Sequence, residues 1–179
     1  MDALLWLDLE MTGLDVQKEV IIEVGAIVTD IHLQELESYQ AVVKQPSSYL
    51  ENMDDWNQKQ HRKSGLLELI PKGKNQRTVE DELLSLTQQH FSGKPVVLAG
   101  NSIGQDRLFI KKYMPRLEEK LHYRMLDVSS WKVIFNNVFK KEYKKSHSNH
   151  RALEDIKESI NELKFYLQFV NIPKPSLTS

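Results

Sequence analysis

Asp8 and Glu10 stand two residues apart at the end of an apolar run, Leu4-Leu5-Trp6-Leu7. The run reads as a buried strand, and on a strand residues i and i+2 point to one face. Two anions held side by side at a hydrophobic strand end are costly, because burial and like charge both oppose ionisation. A divalent cation would remove the conflict, and carboxylate oxygens are the ligands that Mg2+ and Mn2+ prefer. Taken alone, the pair also reads as two solvated acids at a strand end.

Three further residues bear on the choice. Asp106 closes the segment Asn101-Ser102-Ile103-Gly104-Gln105-Asp106, which follows a short apolar strand. His150 and Asp155 form an H-x-x-x-x-D pair at the start of the last helix. Singly, Asp106 is a first-turn helix acid, Asp155 a flank charge for Arg151 at i−4, and His150 a loop residue. Jointly, four carboxylates and one imidazole fit a two-metal phosphodiesterase. Two cations about 4 Å apart would activate a water and stabilise the leaving oxygen of an in-line displacement. An imidazole near its ordinary pKa is a suitable general base for that water.

These residues need strands and helices to bring them together. Residues 20–29 are rich in β-branched types and read as a second strand paired to the first. Residues 33–43 read as a third, antiparallel to the second. Gly25 and Ala26 are small, which suits close approach by another backbone or a helix. Residues 46–52 read as a loop, and 53–61 as a helix with acids in its first turn. A helix is expected over about 78–91, stopped by Ser92-Gly93-Lys94-Pro95. A wholly apolar strand at 96–100, a helix carrying Leu108, Phe109 and Tyr113, a fifth strand at 123–128 and a helix over about 130–139 follow. In the last helix Leu153, Ile156, Ile160, Leu163 and Leu167 form one stripe. Asp155 lies roughly 120° from the centre of that stripe, at its border and outside the solvent face. The expected fold is α/β, a mixed five-stranded sheet flanked by helices, with the site collecting at strand ends.

Composition sets limits. The 179 residues make one domain by prior, expected over residues 1–172, with 173–179 as a loose tail. No apolar run is long enough to cross a bilayer, no targeting signal is evident, and there is no cysteine. A cytoplasmic location is the expectation. The formal net charge of −1 argues against a protein that grips many phosphates of a long duplex.

Five segments carry a resemblance. Trp6-Leu7-Asp8-Leu9-Glu10-Met11-Thr12-Gly13-Leu14, Met53-Asp54-Asp55-Trp56-Asn57, Gly100-Asn101-Ser102-Ile103-Gly104-Gln105-Asp106, Tyr123-Arg124-Met125-Leu126-Asp127-Val128-Ser129 and His150-Arg151-Ala152-Leu153-Glu154-Asp155-Ile156 resemble the oligoribonuclease type of the DEDDh 3'-to-5' exonucleases. The resemblance runs nearly end to end. It implies a ribonuclease H-like fold, a homodimer, and two Mg2+ or Mn2+ ions held by Asp8, Glu10, Asp106 and Asp155. It implies His150 as general base, and very short RNAs, especially dinucleotides, as substrates cut to mononucleotides. It further implies that Leu14 wedges between the bases and that Trp56 and His61 lie near the 3' nucleotide. Ser102, Arg124 and Ser129 would cap the 5' phosphate, with Tyr123 supplied across the dimer. Plain core packing remains the other reading of Leu14 and Trp56, and a surface strand end that of Tyr123-Arg124. Two other functions compete: an exonuclease of the same branch acting on long strands, and a non-catalytic nucleic-acid-binding module.

Overall fold

The computed structural model describes residues 3–145 and 151–171. His150 and the tail expected at 173–179 lie outside the described residues.

Five strands form one sheet: β1 (Ala3–Met11), β2 (Ile21–Asp30), β3 (Glu35–Val42), β4 (Val96–Gly100) and β5 (Leu121–Asp127), in the order β3-β2-β1-β4-β5. The first three pair antiparallel, while β4 runs parallel to both β1 and β5. This is the mixed sheet expected from the sequence. The helices are α1 (Ser47–Glu51), α2 (Asp55–Lys63), α3 (Leu66–Leu69), α4 (Gln76–Phe91), α5 (Ile103–Tyr113), α6 (Pro115–Glu118), α7 (Val128–Ile134) and α8 (Ala152–Leu167). Among the described residues no helix is long and apolar enough to cross a membrane.

Alternation along β1 divides the core. Leu5, Leu7 and Leu9 pack with Val79 and Leu83 of α4 and with Phe109 and Ile110 of α5. Leu4 and Trp6 pack on the opposite face with Ile156, Ile160 and Leu163 of α8. Asp8 and Glu10 continue the even-numbered series, so they emerge on the α8 side. That parity brings the carboxylate of Asp155 to them.

The approach of α8 is unusually close. A Cβ at Gly25 would lie 2.8 Å from the carbonyl carbon and Cβ of Ala152. Only a residue without a side chain lets the first turn of α8 sit on β2 there.

Several expectations are corrected. The stretch 46–52 is not all loop, since Ser47–Glu51 forms a short helix. Asp54 is the cap of α2 and lies outside it, its side chain accepting from the Asn57 N–H. The fifth strand starts earlier, at Leu121. The helix expected at 130–139 starts at Val128, capped by Asp127, and widens into a π-helical turn over Phe135–Phe139.

Candidate active site

Asp8, Glu10 and Asp155 each present an oxygen within 4.8 Å of the others, and all three are half-buried. Asp8 and Glu10 come from the end of β1, and Asp155 from the first turn of α8. The border position of Asp155 on its helix explains this: it faces along the sheet and away from the core. Arg151 is not its partner. Its Nε and Nη2 hold the fully buried Glu23 of β2 at 3.0 and 2.7 Å. Asp155 instead has the Lys145 ammonium 3.4 Å away.

Asp106 is near but turned. It sits in the first turn of α5, and its Oδ1 accepts the Leu9 N–H at 2.9 Å. The cause is the shortness of β4, which ends at Gly100 and pairs with β1 only at Leu5 and Trp6. Further along, Leu9 has no β4 partner, and Asp106 takes its N–H.

The charges are in conflict. Burial, then the carboxylates of Asp106, Glu10 and Asp155, hold Asp8 well above the usual carboxylate range. Burial, then Asp155, Glu23 and Asp106, push Glu10 up to about 8. Burial raises Asp106 to about 7, against the pull of its Leu9 hydrogen bond. Such a cluster fits a cation, and an all-oxygen set suits a hard divalent one.

A cleft of about 330 Å³ opens over the triad, lined also by Met11, Gly13, Leu14, Trp56 and Asn57. Leu14 and Trp56 are exposed into it, at 71% and 61%, so neither is core. His61 is different. It is buried, with Nε2 3.0 Å from the Met11 carbonyl and Nδ1 3.9 Å from Glu10 Oε2. In this structure it packs behind Glu10 and ties α2 to the end of β1.

Of the other expected binding residues, Ser102 and Ser129 follow the ends of β4 and β5, while Tyr123 and Arg124 lie within β5. Ser102 and Ser129 touch through their hydroxyls at 2.9 Å. The Arg124 guanidinium lies over the exposed Tyr123 ring, 5.0 Å from its centre. Residues that the sequence reading gave no role also serve the site. Gln105 Nε2 donates to the Leu14 carbonyl at 2.7 Å, and Lys112 Nζ to the Val16 carbonyl at 2.6 Å, so α5 pins the turn that carries Leu14. Gln105 lies inside a quoted motif, a signal that could have found it. Nothing in the local pattern marks Lys112 or Lys145.

Comparison with known proteins identifies the family. The profile of the exonuclease family RNase_T matches residues 5–163. An oligoribonuclease of Corynebacterium glutamicum is 45% identical over 184 residues, covering 99% of this chain and 84% of its own. That of Dichelobacter nodosus is 45% identical, covering 94% and 96%. The mitochondrial oligoribonuclease of Homo sapiens is 42% identical, covering 91% and 71%. Among solved structures, Escherichia coli exonuclease I in complex with a dA16 oligonucleotide superposes with a TM-score of 0.72 at 13% identity. It covers 94% of this chain but 41% of that one, and speaks to the fold alone.

Proposed function

The chain belongs to the exonuclease family, and with its oligoribonuclease relatives as the premise we propose that it removes nucleotides from the 3' end of very short RNAs. Dinucleotides are the preferred substrate, cut to mononucleotides. The observation that carries this is the Asp8, Glu10 and Asp155 triad at the floor of a small cleft walled by Leu14 and Trp56.

Asp8, Glu10 and Asp155, with Asp106 beside them, would hold divalent cations, two Mg2+ or Mn2+ in this reading. Bound there, such ions supply Lewis acidity to the attacking water and to the leaving oxygen. Water adds to phosphorus, the P–O3' bond breaks, and the 5' neighbour leaves with a free 3' hydroxyl. His150, in the segment just before α8, takes the proton from the water and returns it, directly or through solvent, to the leaving O3' oxygen. Leu14 and Trp56 hold bases by packing and stacking, which tolerates any sequence. His61 acts through Glu10. Ser102, Ser129 and Arg124 cap the 5' phosphate, because two hydroxyls and a guanidinium make a compact anion receptor. A closed far end measures length, since a longer strand would have to pass through it.

The enzyme acts as a homodimer in this proposal. Ile134, Phe139, Phe169 and Val170 are exposed around an apolar hollow of about 520 Å³, the kind of face that associates. Tyr123, also exposed, would reach the partner's site. A cytoplasmic location completes the reading and accords with the lack of cysteine.

Isothermal titration with Mn2+ tests the metal assignment. Asp155→Asn should weaken binding at least tenfold and lower kcat for a dinucleotide by a thousandfold or so, about 4 kcal/mol of barrier. Unchanged Mn2+ affinity in that variant would remove Asp155 from the ligand set.

A further inference from the structure

Glu162 of α8 has 0% exposure and lies about two turns beyond Asp155. Both of its oxygens accept. Oε1 takes the Tyr166 hydroxyl at 2.8 Å, and Oε2 takes Asn101 Nδ2 at 2.9 Å. The Lys132 ammonium stands 3.7 Å away. A carboxyl group used this way offers Asn101 no donor. The Asn101 amide therefore has one satisfied orientation, with Nδ2 towards Glu162 and Ser159 Oγ. Its Oδ1 is turned the other way, where it accepts the Ser129 hydroxyl at 3.2 Å.

That contact decides the roles of the two serines. With its proton given to Asn101, Ser129 Oγ is an acceptor towards Ser102. It takes the Ser102 N–H at 2.6 Å and the Ser102 hydroxyl at 2.9 Å. Ser102 needs this support, because its φ of 51° is in the left-handed region that serine rarely adopts. Asp127 Oδ1 adds a second hold on the same N–H at 3.0 Å. Of the two hydroxyls, that of Ser102 is the one that can turn to an anion: it gives up only its bond to Ser129 Oγ, while the Ser102 N–H stays held by Ser129 and Asp127.

We propose that Glu162 and Asn101 are positioning residues of the 5' phosphate cap: the buried carboxyl orients the amide, the amide fixes Ser129, and Ser129 presents Ser102. The inference rests on the cap reading of Ser102, Arg124 and Ser129 above. It also gives α8 two tasks, Asp155 for the metals at one end and Glu162 for substrate length two turns on.

The test compares 5'-phosphorylated and 5'-hydroxyl dinucleotides as substrates of the whole protein with Mn2+. Wild type should prefer the phosphorylated one, and Ser129→Ala should lose the preference. Glu162→Gln keeps the shape but lets residue 162 donate, so the Asn101 amide can flip. It should raise KM for the phosphorylated dinucleotide about tenfold, the size of one charge-assisted hydrogen bond, with kcat within about twofold. KM for the 5'-hydroxyl dinucleotide should stay put. Asn101→Ala, which leaves Glu162 its Tyr166 and Lys132 partners, should do the same and carries the test if Glu162→Gln fails to fold. Equal losses on both substrates would reduce the pair to fold stability and overturn the proposal. A wild-type preference that both variants retain would overturn it too, with the cap intact. A wild type indifferent to the 5' phosphate would sink the cap assignment itself.

Discussion

Glu10 is the residue where burial and like charge act most plainly against ionisation. Burial, then the carboxylates of Asp155, Glu23 and Asp106, push its carboxyl up to about 8 from an ordinary 4.5. Between those pH values the folded chain keeps a proton that the unfolded chain has lost. The stability this contributes is complete below about pH 4.5 and is lost as pH rises through 8. Each unit of displacement is worth about 1.4 kcal/mol, so the effect is on the order of a few kcal/mol. In chelator, the thermal midpoint should therefore fall between pH 5 and 8. Saturating Mn2+ should flatten or reverse that slope, because a bound cation favours the ionised form. A midpoint in chelator that climbs over the same range would contradict the charge conflict drawn for the triad. Asp8 and Glu10 were legible as a pair because a strand has period two. The turned carboxylate of Asp106 was not, because it depends on where a neighbouring strand stops.

At the scale of elements, the site depends on how closely α8 lies on β2. Glu23 and Gly25 make that approach together. Glu23 grips Arg151 and also the N–H of Ala152 at 3.2 Å, while Gly25 leaves room for the turn. A methyl group at Gly25 would force the helix outward, since Ala152 and Leu153 backbone atoms lie within 2.9 Å of the Cβ position. Gly25→Ala should thus cost about 1–3 kcal/mol in chemical denaturation. It should also weaken Mn2+ binding, because Asp155 moves with its helix. A variant with wild-type Mn2+ affinity would show that Asp155 does not depend on this contact. Element order and sheet membership were readable from apolar runs and turn residues. So was the close approach at Gly25, though not which element makes it. The short helices Ser47–Glu51 and Pro115–Glu118 carry too few residues for a periodic signal. The salt bridge between Glu23 and Arg151 joins positions 128 residues apart, and no local pattern encodes it.

For the whole molecule, the near-zero charge of −1 and the small cleft belong to one account. An enzyme that holds a dinucleotide neutralises few phosphates and needs no basic track. The acids, the exposed Leu14 and Trp56, and the paired serines come from β1 and the turn after it, α2, α5 and the residue before it, α7 and α8. One sheet sets the distances among them, which is why the site became readable only when distant motifs were taken jointly. The most direct measurement is cleavage of 5'-labelled RNAs of two, five and about twenty nucleotides, with Mn2+ and with chelator. The dinucleotide should be cut fastest, the longest strand at least tenfold more slowly, and none in chelator. Equal or faster attack on the long strand would contradict the closed, length-measuring site, and make the protein a general exonuclease on the same fold.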